Sequence, residues 1–561
     1  MKAEDLLAEV TAATLSPSRH SRGATRGHRQ APLPCVYVPQ NKQTGINEAA
    51  GNLSRLMGES GRYFHQKMIG ASSRRIVELE GEELRVIDRI ALAGEFETVA
   101  SLVKMAEDGP VKTFCGKESA ELIAASPVFR LPLISTVTPF PYLRQDGDDL
   151  REIVGHDEPS GVYAKGSKPV VMDLAVAVAL IEEMLSDFDF ATPGDRARAI
   201  ASLFSPALIN SNLLGLNRVP MDITQAYASQ SGKGFRTRLV AAVYGVKLAT
   251  VTQKGKDGVG SVKESFDACL VRGVFGIQFD NWRGRFDFPW METFCTEFSY
   301  GARPAFSPEM AINPALHWLS FTSNEGEITR DMANRSNIVR IRKRPKGFEF
   351  KVFDGGRDIL AYVEAQQGQY LGAVFAVLRE WHRLGMPRSS CRRDDAFKDW
   401  ARVTDWLAVN IFGCVSVQEG HDEAKMMMTE EGLVWLRKIL LSAVEKGLRG
   451  RLHFGDVIEI AIDLDLTVGK LKLSAEAMTE GSTRERAMRQ LGMDFKRAFT
   501  RLGSDRLVAE RAALIRCAEM KDGRERYFYL IEIDGVLPMI DPEPLEIGAK
   551  GFPVDDGGES F

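Results

Sequence analysis

Between residues 221 and 345 the chain alternates short apolar runs with helical patterns. Such alternation restricts the segment to a parallel α/β sheet with crossover helices. One turn stands out within AYASQSGKGFRTRLVAAVYG, residues 226–245: Ser231-Gly232-Lys233-Gly234 opens an apolar helix. Small residues there let backbone N–H groups curl around phosphates. The helix N-terminus adds positive potential, and Lys233 is placed to reach the β and γ phosphates. The candidate cradle is Ser229, Gln230, Ser231, Gly232, Lys233, Gly234 and Phe235. It departs from GxxxxGK[ST] twice: Tyr227 replaces the first glycine, and Gly234 replaces the hydroxyl residue that would bind magnesium. The same tetrapeptide also occurs in ordinary loops.

Two downstream strands fit the same chemistry. GVFGIQFDN, residues 273–281, is an apolar strand ending in Asp280, an acidic position suited to holding magnesium. The alternative is a buried strand capped by a turn aspartate. HWLSFTSN ends in Asn324, a candidate for orienting an attacking water. Lys233, Asp280 and Asn324 follow in the order that would bring them together at the carboxyl ends of adjacent parallel strands. Asn281 sits where an acidic general base would follow Asp280, so the base is unassigned; Glu325 and Asp287 are near in sequence. Arg335 precedes a strand expected over 337–342. It reads either as a cation reaching a neighbouring subunit's ATP or as a surface ion pair or helix cap. The run Arg340, Arg342, Lys343, Arg344, Lys346 reads as a solvated edge or a phosphate contact.

At 561 residues the chain exceeds one core and predicts about two to four domains. Hydrophobic residues make up 44% and the formal net charge is -4, which argues against a uniformly basic coat. Seven scattered cysteines form no CxxC pair, so zinc ribbons are not expected, and a reducing cytoplasm is. No secretory signal and no membrane span is expected, since no apolar run reaches about 18 residues. The expected divisions are a flexible basic arm (1–34), an α+β domain (35–170), the sheet core (171–350), a helical lid region (351–450), a C-terminal domain (451–540) and a disordered tail (541–561). Within 35–170, INEAAGNLSRLMGE and EFETVASLVKMAED read as helices, and Asp146-Gly147 as a turn between extended segments.

The C-terminal domain has its own logic. Ser482 and Glu485 make a capping-box pattern before a helix running to about Arg501, with Met488, Leu491, Phe495 and Phe499 at core spacing and Gly503 as its stop. RAALIRCAE and RYFYLIEI then flank Asp522-Gly523, a hairpin signal. Helix followed by a two-stranded wing is a winged-helix layout. Residues 481–530 hold 12 Lys/Arg against 7 Asp/Glu, in contrast to the acidic whole. The candidate nucleic-acid contacts are Arg484, Arg486, Arg489, Lys496 and Arg497 on the helix, and Lys521, Arg524 and Arg526 on the wing. A protein-docking module with ordinary surface charge is the alternative.

SGKGFRTRL, FGIQFDN, LSFTSNEGEITRDMANRSNIVRIRKRP and FAVLREWHRLGMPRSS resemble segments of AAA+-type ATPases of phages and integrative elements, described as primase-helicases or replication ATPases. RLPLISTVTPFPYLRQDGDD resembles the stretch preceding their ATPase, so the resemblance spans roughly 126–413. It implies a P-loop NTPase core of AAA+ or superfamily-three-helicase type that uses ATP and Mg2+. Gly232 and Lys233 match the phosphate loop, Asp280 the magnesium strand, Asn324 the sensor and Arg335 the trans-acting arginine. The expected function is an ATP-dependent helicase or translocase acting on single-stranded or forked DNA in mobile-element replication, assembled as a homo-oligomer, a hexamer being the natural guess. The alternative is a nucleotide-binding, hydrolysis-poor DNA-loading or regulatory factor; a scaffold with a dead ATPase fold is a third reading.

Overall fold

The computed structural model describes residues 33–39, 45–67, 74–106, 109–214, 218–226, 231–252, 260–282, 284–305, 309–323, 326–391, 393, 395–429, 431–464, 467–468, 471–472, 481–509, 511–521 and 524–537. The basic arm and the C-terminal tail fall outside them. Mixed α/β architecture runs through the described chain. Among the described residues no helix is long and apolar enough to cross a membrane.

The first region joins two small three-stranded sheets and helices Ile46–Glu59, Leu92–Val99 and Lys117–Ala125 around Leu53, Met57, Phe96 and Ile123. The stretch expected as one helix over EFETVASLVKMAED splits. Its helix stops at Val99, and Ser101–Ala106 is a strand parallel to Cys35–Tyr37. Leu102 and Val103 are buried in that pairing, so tertiary context overrides the local helical spacing. The Asp146-Gly147 turn appears as expected, joining Tyr142–Asp146 to Asp149–Ile153 with Gly147 at φ 64°. This region docks on the core at residues 271–273: Thr136 donates to the Gly273 carbonyl at 2.8 Å and Gln66 to the Val271 carbonyl at 3.2 Å.

The core begins with α1 (Pro193–Leu208), capped by Thr192 and opened by Pro193, which fits the first helical turn. Then come β1 (Met221–Gln225), α2 (Lys233–Val243), β2 (Ala249–Val251), α3 (Val262–Val271), β3 (Gly276–Trp282), β4 (Trp318–Ser323), α4 (Arg330–Asn334) and β5 (Ser336–Arg342). These strands pair in parallel in the order β5-β1-β4-β3-β2, and Asp189–Phe190 joins antiparallel outside β5. Strands β1, β4 and β5 are buried almost throughout, the pattern of a sheet covered on both faces. Helices α1 and α2 pack on one face and α3 and α4 on the other. The chain leaves β1 toward β2 and leaves β4 toward β5, in opposite directions. Adjacent strands with opposed exits create the crevice at a sheet's carboxyl edge.

Two buried ionic clusters fasten this core. Arg236 of α2 meets Asp222 of β1 and also donates to Thr224 at 2.9 Å and Ser202 at 2.7 Å. Burial raises the Asp222 pKa above the usual carboxylate range, and Arg236 pulls against it. Asp195 of α1 holds Arg198 at 2.6 Å and Arg340 of β5 at 3.2 Å. Arg340 is therefore buried inside the fold, which corrects its reading as part of a solvated basic edge.

Beyond helices Ile359–Ala365, Gln367–Arg383 and Lys398–Asn410 lie α5 (His421–Thr429), α6 (Glu431–Glu445), α7 (Phe454–Asp463) and α8 (Gly481–Leu502). Strands β6 (Ala512–Lys521) and β7 (Arg524–Ile533) form a ten-residue-long hairpin flanked by Gly450–Arg451 and Arg506–Ala509. Leu433 and Leu436 of α6 share one core with Leu491, Phe495, Phe499, Leu514 and Ile531. Helix α6 thus packs with the C-terminal body, across the division expected at 450/451. Gly503 closes α8 at φ 68°. Helix α8 begins at Gly481, so Ser482 lies within its first turn rather than ahead of it; residues 522 and 523 lie outside the described residues.

Arg236→Ala strands the Asp222 carboxylate in a dry interior. The expected loss is about 3–5 kcal/mol, the range for breaking one side of a buried pair, read as a fall in the urea unfolding midpoint.

Candidate functional site

The site is built on the two stems β1 and α2. Beyond Ala226 the chain passes through residues 227–230, so Ser229 and Gln230, like Tyr227, lie outside the described residues. The chain is described again at Ser231. Gly232 then takes a left-handed φ of 92°, and α2 starts at Lys233. A Cβ at residue 232 would make only ordinary contact with the Phe188 ring at 3.7 Å, so it is the left-handed backbone that favours glycine here. Lys233 is largely buried, and the Ser231 hydroxyl is buried without a hydrogen-bond partner among the described residues. Phe235 lies on the same turn of α2, its ring 6.2 Å from Phe188.

Asp280 ends the regular part of β3 and faces this turn. A Cβ built on Gly234 would sit 4.0 Å from its Oδ1. Thr322 of β4 donates to the same oxygen at 2.7 Å, and Gln278 to it at 3.4 Å. Asn281 follows at φ 49°, where asparagine is tolerated, and its N–H donates to Thr322 Oγ1 at 2.8 Å. A register shift between Phe279 and Trp282 accompanies that kink. A bulge of this kind re-aims a side chain at a strand end. Thr322 was not singled out in the sequence; its one signal is a hydroxyl two residues ahead of Asn324.

Asn324 and Glu325 lie outside the described residues, directly after β4, the strand between β1 and β3. Asp287 is exposed and paired with Arg285 at 3.4 Å. Arg335 is placed elsewhere. Its carbonyl accepts from Met221 N at 3.0 Å, which puts it at the amino edge of the sheet. The five residues of β1 separate it from the loop by roughly 15 Å, at about 3.3 Å per residue. Its side chain pairs with Asp331 at 3.7 Å. The structure therefore brings Lys233 and Asp280 together and sets Arg335 at the opposite edge.

On α8 the buried face is Ala487, Leu491, Phe495 and Phe499; Arg486, Arg489, Lys496 and Arg497 are exposed on the other side, while Arg484 is exposed but in line with Leu491, near Gly455 of α7. Arg497 lies 3.9 Å from Asp494. In the hairpin Lys521 stands opposite Arg524, and Arg526 opposite Glu519.

The donors fit a magnesium nucleotide in type. An N-terminal helix turn with a buried lysine and an orphaned buried serine hydroxyl suits phosphate, and the Asp280 carboxylate suits the metal.

No protein-family model matches the sequence, and no curated protein matches it. Among solved structures, the apo A form of the NrS-1 C-terminal region is similar with a TM-score of 0.34 at 11% identity, covering 86% of this chain and 99% of that one. A JCV helicase bound to a thiazolopyridine compound is similar with a TM-score of 0.20 at 9% identity, covering 49% of this chain and 71% of that one. Likenesses this distant do not establish a shared fold.

The two glycines of the tetrapeptide predict opposite results. Gly232→Ala forces a side chain into the left-handed region and costs about 1–2 kcal/mol. Gly234→Ala sits in open helical geometry and gains up to about 0.5–1 kcal/mol from helix propensity. Urea unfolding of the two variants checks the signs.

Proposed function

We propose that the chain is an ATP-dependent motor of helicase or translocase type that acts on DNA during replication of a mobile element. The observation that carries the ATPase reading is the approach of Asp280 to Gly234, next to Lys233, at the carboxyl edge of a β5-β1-β4-β3-β2 sheet. The AAA+ class, the mobile-element setting and the hexamer rest on the family resemblance.

In this reading α2 receives the β and γ phosphates on its N-terminal N–H groups, and Lys233 supplies a counter-charge held close by its burial. The Ser231 hydroxyl has hydrogen-bonding capacity to offer a phosphate oxygen. Asp280 would hold Mg2+, which when bound neutralises charge developing on the phosphates. Thr322 fixes the Asp280 rotamer, because its hydroxyl donates to one carboxylate oxygen and accepts from Asn281 N–H. Asn324 would orient the attacking water, and the base is unassigned. Arg335 lies too far along the sheet to serve the ATP of its own subunit, so any action on ATP would be in trans, at the γ-phosphate of a neighbour; as C-terminal cap of α4 paired with Asp331 it also fits a purely structural part. The basic face of α8 and the hairpin tip would meet the DNA backbone.

A second reading, a hydrolysis-poor loading or regulatory factor, is favoured by Gly234 and Asn281. Neither supplies the hydroxyl or the carboxylate that rapid turnover uses. Steady-state ATPase with and without single-stranded DNA separates the two: absence of turnover under every DNA condition selects the second.

Lys233→Ala should abolish ATP binding or turnover in a folded protein; unchanged affinity and turnover reject the phosphate loop. Asp280→Asn should cut turnover about 100-fold or more while nucleotide binding falls less. Arg335→Ala alone should lower turnover about 1,000-fold. Mixing Lys233→Ala with Arg335→Ala subunits should restore measurable turnover, because some interfaces then pair an intact lysine with an intact arginine. A mixture as dead as its parts rejects the trans role.

Replacing Arg484, Arg486 and Arg489 with Gln should flatten the salt dependence of DNA binding by roughly one log–log unit for each phosphate no longer neutralised. Point changes are the right tool, since removing 481–535 would strip α8 from the core it shares with α6. An unchanged slope makes the C-terminal body a protein-docking module.

A further inference from the structure

The C-terminal body touches the sheet core away from the chain that joins them. The chain itself crosses at α5 and α6: Ala424 and Met428 sit in the core's apolar cluster, and Met427 in the C-terminal one. The contact away from this crossing is an ion pair. Arg511, which immediately precedes β6, lies 3.1 Å from Asp189 of the edge strand outside β5, 322 residues earlier in the chain. The same guanidinium lies 3.5 Å from Asp534, which immediately follows β7, and the Asp534 N–H donates to the Arg511 carbonyl at 2.7 Å. Arg511 therefore sits at the root of the long hairpin, between one carboxylate of its own body and one of the core.

Asp189 occupies a sensitive place. Its strand pairs with β5 at Arg342 and Ile341. The chain on either side is fastened as well: Arg344 donates to the Asp187 carbonyl at 2.9 Å, and the Ala191 N–H to the Arg340 carbonyl at 3.0 Å. Phe188 and Phe190 point to one face, against Ala199, Val339 and Ile341, and Asp189 between them alternates to the other. The Phe188 ring is also the one beside the phosphate turn, 3.7 Å from a Cβ built at Gly232 and 6.2 Å from the Phe235 ring. Adjacent residues of so short a strand move together, so a shift of Asp189 shifts the ring that backs Gly232.

We propose that Arg511 is a positioning residue for the nucleotide site: by holding Asp189 it seats Phe188 behind Gly232, so that the set of the C-terminal body tunes the grip of the turn on phosphate. The inference rests on the ATPase reading above and adds a route by which the C-terminal body bears on it. Strand β6 carries the route outward, since ten residues at about 3.3 Å each put the hairpin tip roughly 33 Å from Arg511. The pair is partly exposed, 37% at the arginine side chain and 19% at the aspartate, so it adds little to global stability. Its effect belongs in nucleotide affinity. By linkage, nucleotide and any ligand that reseats the hairpin change each other's affinity by one common factor.

The test is titration of the full chain with a fluorescent ATP analogue, with urea unfolding of each variant as the stability control. The proteins are wild type, Asp189→Asn, Arg511→Gln, the double variant, and Asp534→Asn. The last removes the partner of Arg511 within its own body, at a left-handed residue where asparagine is tolerated. Asp189→Asn and Arg511→Gln should each weaken nucleotide binding about fivefold, the low end for coupled sites. The double variant should bind no worse than the poorer single, because both changes cut one contact. Asp534→Asn should bind as wild type does, and the urea midpoints should stay where they are. Unchanged affinity in Arg511→Gln, beside a loss in Lys233→Ala, overturns the positioning role and leaves the ATPase reading standing. Losses that multiply in the double variant overturn it too, as does a loss in Asp534→Asn equal to that in Arg511→Gln, which would place the effect within the hairpin. A urea midpoint that falls in step with affinity overturns it in favour of a purely structural pair. A wild-type protein that binds no nucleotide refutes the ATPase reading and this inference with it.

Discussion

A buried ion pair joins the strand and the helix that flank the turn carrying Lys233. Asp222 and Thr224 lie on the strand entering the loop and Arg236 on the helix leaving it. Arg236 also reaches Ser202 of α1, so the stem joint is tied to the helix behind it. A phosphate cradle works only if its N–H groups point before the ligand arrives. Burying an ion pair is a costly way to gain stability, because the desolvation of two charges can match their attraction. It is a good way to hold one register: slipping β1 by a residue would turn Asp222 to the other face of the sheet and leave Arg236 unpaired in the interior. The second cluster, Asp195 with Arg198 and Arg340, ties the edge strand β5 to α1 by the same device.

Much of this was legible in the sequence, and the failures have physical causes. The strand–helix alternation, the helix opening at Lys233, the Gly147 turn and the long C-terminal hairpin were readable because each is set by local chemistry: a period, a left-handed glycine, a two-residue connection. The order of strands was not readable, since parallel pairing joins residues far apart in sequence. Arg340 was misread for the same reason. Next to Arg342 and Arg344 it looks like one of a basic run, and only the fold puts Asp195 beside it. The strand at Ser101–Ala106 had helical spacing, and pairing with Cys35–Tyr37 decided otherwise. Thr322 was invisible because its importance is a hydrogen bond to Asp280, 42 residues earlier in the chain.

The departures from the standard loop look different once the geometry is known. Gly234 removes a hydroxyl from the position that faces Asp280, and the hydroxyl that meets that carboxylate comes instead from Thr322 on the neighbouring strand. The contact that orients the aspartate thus comes from the sheet.

The placement of Arg335 turns a chemical question into one of assembly. Within one subunit, Lys233 and Asp280 occupy the carboxyl edge of the sheet and Arg335 the amino edge, roughly 15 Å away along β1. An arginine side chain cannot span that gap. For Arg335 to contact a γ-phosphate, the amino edge of one subunit must face the carboxyl edge of the next. Two different surfaces then meet at every contact, which is a heterologous interface. Such an interface closes into a ring when its rotation divides a full turn and otherwise runs on as a filament. A two-fold dimer is ruled out for this role, since it would pair like edges. A head-to-tail assembly, ring or filament, thus follows from where one arginine sits, given that it acts on ATP at all.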